Sequence, residues 1–328
     1  MNSTVPRKSL RDRSLTQYII LAVTVALLLL LWPMPDLHRL FRYGMDLLHA
    51  PFFAIFAFIL DQKRRGLQKE SIYKLLIFWV LLLILAVSME AAQSWVGRDS
   101  NWHDGLSNIL GITAGILFSF SSFSFVAGKF WIKWIARFFG ILMILSGSLY
   151  GIRGMLDTLK AHHNFPLLAD FESNAELLRW ESRNAILVCS RNFSSAGILS
   201  GKLTLVPGRY PGSSIELPSK SWSNYQNLEM DITWPVPDDS ASANHRTPKH
   251  LPLRIKLEDN GPNKLVSDRF ESTVLLHPGK NRIQIPLRKV IHGPKDRLLD
   301  LKSMSRLSLF VSDLKSPQVI YLDQIRLD

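Results

Sequence analysis

Apolar residues cluster differently in the two halves of the chain. Before about Arg153 they form long unbroken runs rich in Leu, Ile, Phe, Ala and Trp. After about Phe165 they alternate with polar residues over short stretches separated by Pro, Gly, Asn and Asp. The first pattern predicts membrane-crossing helices, which need about 20 mostly apolar residues. Five stretches qualify: Gln17–Pro33, Tyr43–Leu60, Ile72–Trp95, Gly105–Ala127 and Ile135–Ile152. The first competes with a signal peptide, but Trp32, Pro33 and Met34 stand where a small-residue cleavage site belongs.

The second pattern predicts strands. Segments beginning at Leu203, Ser214, Leu228, Leu253, Ser272, Arg282, Arg306 and Val319 alternate or nearly alternate, and no long helical period competes. Many short strands at regular spacing argue for a β-sandwich. The expected organisation is a basic cytoplasmic tail (1–16), an all-α bundle of five transmembrane helices (17–152), a linker (153–166) and an extracytoplasmic all-β sandwich (167–328). A β-domain of about 160 residues is large enough to bury its own core.

The chain has 328 residues, a formal charge of +12 and 47% hydrophobic content. Its basic residues gather at the ends of the apolar runs, as in Arg7, Lys8, Arg11 and Arg13, and again in Lys63, Arg64, Arg65 and Lys69. Basic loops stay cytoplasmic. The expected topology is therefore a multi-pass protein of the cytoplasmic membrane, N-terminus inside, with the C-terminal domain periplasmic or extracellular. No basic stripe is interleaved with base-stacking aromatics, so nucleic acid is set aside. Cys189 is the only cysteine, which excludes an intramolecular disulfide.

Polar groups within the apolar runs carry the candidate chemistry. Asp46, His49, Glu90, Gln93, Arg98, Asp104 and Asn108 all fall at one expected depth, the outer leaflet or its interface. Charge in hydrocarbon is costly and marks functional sites. Glu90 and Gln93 share a helix face, as do Asp104 and Asn108. Gly111 and Gly115 continue the latter face as Gly-x-x-x-Gly, which permits close helix approach.

Glu90-Ala-Ala-Gln93, then Arg98, then Asp104-x-x-x-Asn108-x-x-Gly111-x-x-x-Gly115 resembles the signature of VanZ-like membrane proteins, and His49 after Asp46 resembles that family's aspartate-and-histidine motif. The family's aspartate stands one residue further from the histidine, and a lysine that often follows the histidine is absent. The resemblance covers roughly residues 17–127. It implies a bacterial integral membrane protein; the founding member is associated with resistance to the glycopeptide teicoplanin. It supplies no reaction.

Three readings of the cluster stay open. It is a buried network that fixes helix register. It binds a polar headgroup, such as a lipid-linked cell-wall precursor or polyprenyl phosphate, through His49, Glu90, Gln93, Arg98, Asp104 and Asn108. Or it is catalytic at a lipid-linked phosphate, with His49 as general base or metal ligand and Glu90 and Asp104 as partners. Headgroup binding ranks first. No tight ligand pair such as His-x-x-x-His occurs, so no metal or other cofactor is expected, with His103 the only added ligand to consider.

In the second half, Asp170-Phe171-Glu172 with Trp180, the turn Pro278-Gly279-x-Asn281 and the closing Tyr321-Leu-Asp323-Gln-Ile325 resemble the galactose-binding-like jelly-roll modules attached to carbohydrate-active enzymes. The resemblance implies a jelly roll. Sugar recognition in it would use exposed aromatics, with Trp222, Tyr225 and Trp234 as candidates and Tyr210 a fourth. No nucleophile elbow, phosphate loop or dinucleotide glycine pattern appears. The expected partners are the bilayer and a glycan or its lipid carrier; a protein docked on the sandwich is the remaining class.

Overall fold

A computed structural model describes residues 39–67, 71–95, 102–123, 126, 128–235, 249–261 and 266–328. The chain divides into two compact units, residues 1–155 and 156–328. The expected span Gln17–Pro33 lies outside the described residues.

The first unit is helical: α1 (Arg39–Leu67), α2 (Ile72–Trp95), α3 (Trp102–Ser121) and most of α4 (Phe130–Asn164). Two described helices are long and apolar enough to cross a membrane, over Arg39–Gly66 and Phe130–Asn164; α2 contributes a shorter apolar stretch, Ile72–Ser88. The expectation of five spans is thus met by two helices of that length among the described residues. In α3, Asp104, Asn108 and several Ser and Gly residues dilute the apolar run.

Small residues let α1 and α3 meet at backbone distance. A Cβ at Gly111 would strike the Ala50 carbonyl oxygen, and one at Gly115 the Ala54 carbonyl oxygen. Gly147, Gly151 and Gly154 of α4 likewise lie against Ala50, Leu47 and Tyr43 of α1. Such packing replaces the hydrophobic drive that is missing between helices in apolar surroundings. Pro51 lies inside α1 and has no N–H for the Leu47 carbonyl. Ser148 of α4 donates its hydroxyl to that carbonyl instead (3.1 Å). Phe53, Ala57, Ile112 and Ile116 fill the core between the helices.

At the far end of α1, about 18 Å from His49 at 1.5 Å per residue, Asp61 is fully buried. It pairs with Arg64 (2.6 Å) and Arg65 (3.2 Å) and accepts the Ser119 hydroxyl.

The second unit is an antiparallel β-sandwich. One sheet orders β3 (Ala185–Ser190), β4 (Ser200–Leu205), β11 (Gln318–Leu327), β6 (Asn227–Trp234) and β9 (Gly279–Pro286), with β1 (Leu167–Ala169) also on β11. The other orders β2 (Trp180–Arg183), β5 (Gly212–Glu216), β10 (Met304–Phe310), β7 (Leu251–Asp259) and β8 (Phe270–Leu276). The chain switches sheet repeatedly, and Leu203, Ile215, Ile232, Leu253, Leu309 and Ile320 meet in the core between them. A short helix, α5 (Leu287–Ile291), seals one edge with Leu287 and Val290.

The stretch expected to be a linker is instead helix. α4 runs to Asn164, and its last turns belong to the sandwich unit. Asp157 forms a buried pair with Arg179 (3.0 Å), whose Nη1 also donates to the Leu168 carbonyl (2.7 Å). Glu176 lies 3.6 Å from the same guanidinium and accepts the Phe171 N–H (3.1 Å). With Asp157 already neutralising Arg179, burial dominates and pushes the Glu176 carboxyl up to about 8.

Two outcomes follow from this packing. Gly111→Val should unfold the helical unit in detergent at least 10 °C earlier by circular dichroism, since backbone cannot retreat from the new methyls. For Glu176, the folded state holds a proton that the unfolded chain releases above about 4.5. Sandwich stability should therefore fall as pH rises from about 4.5 to about 8, by at most about 1.4 kcal/mol per pH unit. Glu176→Gln should flatten that slope in denaturant titrations repeated at each pH; an unchanged slope would exclude this carboxyl as its source.

Candidate functional site

The helical unit brings part of the predicted polar set together. His49 and Asn108 are each 3% exposed, and His49 Nδ1 lies 2.9 Å from Asn108 Oδ1. A carbonyl oxygen only accepts, so Nδ1 is the donor in this contact. Nε2 is buried and has no hydrogen-bond partner among the described residues. A ring nitrogen of His49 and a carboxylate oxygen from each of Asp46 and Asp104 lie within 4.8 Å of one another. Both carboxylates are half-buried.

Three helices build this pocket. One turn of α1 separates Asp46 from His49, and one turn of α3 separates Asp104 from Asn108, so each pair projects from one face. Ser107, between the two α3 residues, donates to the Gly147 carbonyl of α4 (2.7 Å). His103 stacks on Tyr150 at 4.2 Å, away from ligand duty. Glu90, half-buried on α2, does not join the Asp46–His49–Asp104 group. The Gln93 side chain and all of Arg98 lie outside the described residues.

The sandwich rearranges the aromatic candidates. Trp222 is fully buried and Trp234 is 3% exposed, its Nε1 donating to Gln318 (3.1 Å). Neither offers a face to a sugar, and both belong to the core. Tyr225 packs edge-on against Phe165 at 5.5 Å. Tyr210, by contrast, is 40% exposed and meets Phe310 edge-on at 6.0 Å.

Phe310 opens onto the outward face of the five-stranded sheet. Register places Ser308 beside Ser214 and Lys256, and Phe310 beside Arg254. Arg254 lies 5.6 Å from the Phe310 ring centre and pairs with Glu271. An aromatic rim beside a hydroxyl- and charge-bearing platform is what the sequence reading overlooked. Its signal was the even spacing of Arg306, Ser308 and Phe310, opposite in parity to the core residues Leu307 and Leu309.

The opening and closing motifs prove structural. Glu172 accepts the Ile198 and Leu199 amides (2.8 and 2.9 Å), and Asp323 accepts those of Ser195, Ala196 (3.1 Å) and Gln324 (2.8 Å). The two carboxylates thus pin the β3–β4 loop. Burial pushes the Cys189 thiol up to about 11, with nearby Glu176, Glu172 and Asp170 adding to the shift, which leaves it no nucleophile at neutral pH.

No family model and no curated protein matches the chain. Among solved structures, the β-sandwich is similar to a family 11 carbohydrate-binding module from Clostridium thermocellum in complex with a β-1,3-1,4-mixed-linked tetrasaccharide. That match has 18% identity over 49% of this chain and 93% of the module, with a TM-score of 0.36. An exo-β-agarase matches at 15% identity over 49% of this chain and 24% of its own, with a TM-score of 0.37.

The burial pattern separates core from surface aromatics experimentally. Trp222→Ala should cost the sandwich about 3–5 kcal/mol, while Tyr210→Ala should stay within about 0.5 kcal/mol of the parent. Denaturant unfolding of both variants checks the assignment.

Proposed function

We propose that the protein is a multi-pass membrane protein of the VanZ-like type that recognises envelope glycans or their lipid-linked precursors. The helices take the polar headgroup and the sandwich takes the glycan. The buried convergence of Asp46, His49, Asp104 and Asn108 carries this reading. A network serving only helix register satisfies its own members, whereas His49 Nε2 has no hydrogen-bond partner among the described residues.

Other observations support the membrane part. Leu76, Ile77, Leu81 and Ile84 on α2, and Ile135 and Phe138 on α4, are all exposed, a pattern suited to lipid contact. The polar clusters around His49 and Asp61 lie about 18 Å apart along α1, with an apolar stretch between them. On the sandwich, Tyr210 and Phe310 beside Arg254 and Glu271 offer an apolar sugar face its platform and sugar hydroxyls their partners.

The test uses the full chain in lipid nanodiscs, titrated with lipid-linked cell-wall precursor and with soluble envelope glycans. Tyr210→Ala should weaken glycan binding at least fivefold and leave precursor binding intact. Asp104→Asn should weaken precursor binding at least tenfold. A folded protein that binds neither ligand is an anchor for some other partner, and the reading fails.

A further inference from the structure

We infer that Asp46, His49 and Asp104 form a binding site for one divalent transition-metal ion inside the helical unit. The donor set is one imidazole nitrogen and two carboxylate oxygens, contributed by α1 and α3. Acidic side chains alone would not make the case. The second observation is His49 itself: 97% of it is withdrawn from solvent, and its Nε2 has no hydrogen-bond partner among the described residues.

Leaving such a nitrogen unpaired in a buried site is costly. An ion would recover that cost, because neutral imidazole nitrogen is a good ligand for first-row metals. Asn108 then has a defined task. By accepting the Nδ1 proton it sets the tautomer and aims the ring, the role that outer partners of metal-binding histidines commonly play. Two ligand atoms on one such ion sit about 3–4 Å apart. The three candidate ligand atoms lie within 4.8 Å of one another.

The mixed nitrogen–oxygen set favours Zn²⁺ or Mn²⁺ over Ca²⁺ and over thiolate-seeking Cu⁺. Three protein ligands leave coordination positions open. The ion would also offset the two carboxylates, so that an anionic headgroup could enter the pocket. That last consequence rests on the function proposed above; metal binding itself does not.

The test takes the full chain without an affinity tag, strips it with chelator in nanodiscs free of precursor, and titrates Zn²⁺ by calorimetry. One ion per chain should bind. Asp104→Asn and His49→Ala should each weaken binding at least a hundredfold, Asn108→Ala about tenfold, and Cys189→Ser not at all. Circular dichroism identifies any variant that fails to fold. The parent protein loaded with Co²⁺ gives an answer without variants, since it should show visible ligand-field bands and no thiolate charge-transfer band.

Absence of Zn²⁺ binding by the folded parent overturns the inference, as does binding undiminished in both Asp46→Asn and Asp104→Asn. Zn²⁺ binding without any precursor or glycan binding defeats only the function proposed above. Precursor binding by a folded protein that takes up no Zn²⁺ defeats only the metal site.

Discussion

A polar group buried among apolar helices has no water to fall back on, and the helical unit is built around that constraint. Placing His49 in the middle of α1 demands a partner, and Asn108 supplies it from α3 at 2.9 Å. Reaching that distance requires the two backbones to touch, which Gly111 and Gly115 permit against Ala50 and Ala54. The proline two residues beyond His49 frees the Leu47 carbonyl, and Ser148 of α4 answers it. Glycine at the contact and serine opposite the proline thus let these helices close around the buried histidine.

Carboxylates in the two units serve different ends. In the sandwich several act as braces: Asp259 with Arg297, Glu229 with Arg282 and Arg326, Asp323 and Glu172 with loop amides. Each holds one element to another. Asp61 does the same at the far end of α1, gripping two arginines and Ser119. The pair Asp46 and Asp104 is different because it flanks a histidine whose Nε2 has no hydrogen-bond partner among the described residues. That contrast, more than the number of charges, distinguishes a ligand site from a brace.

Much of this was readable along the chain. All eight segments read as strands are strands, because their alternation reports two unlike faces. β3 escaped notice since Ala-Ile-Leu-Val-Cys is apolar without alternation; as an edge strand it leaves Ile186 and Val188 exposed. Trp234 was also decidable: it shares parity with Leu228, Met230 and Ile232, all core residues. Trp222 was not, since it sits in a loop whose burial depends on the Leu301 carbonyl that receives its N–H. The helical end of α4 was misread as a linker because His162, His163 and Asn164 look like a terminus, whereas Asp157 and Lys160 one turn earlier have partners far off in sequence.

By itself, the amino-acid order determined two architectures and the residue types able to carry chemistry. Period and apolar run length are local properties, so they survive without knowledge of the fold. The same order also marked Asp46, His49, Asp104 and Asn108, since charge inside an apolar run stands out wherever it occurs. What only the tertiary structure decided was which of those residues meet. Helix crossing and rotation, set by glycine contacts between segments some sixty residues apart, bring Asp46, His49, Asp104 and Asn108 into one pocket and leave Glu90 out of that group. A ligand set drawn from two helices has no spacing motif to read, because the distance that matters runs through space and not along the chain.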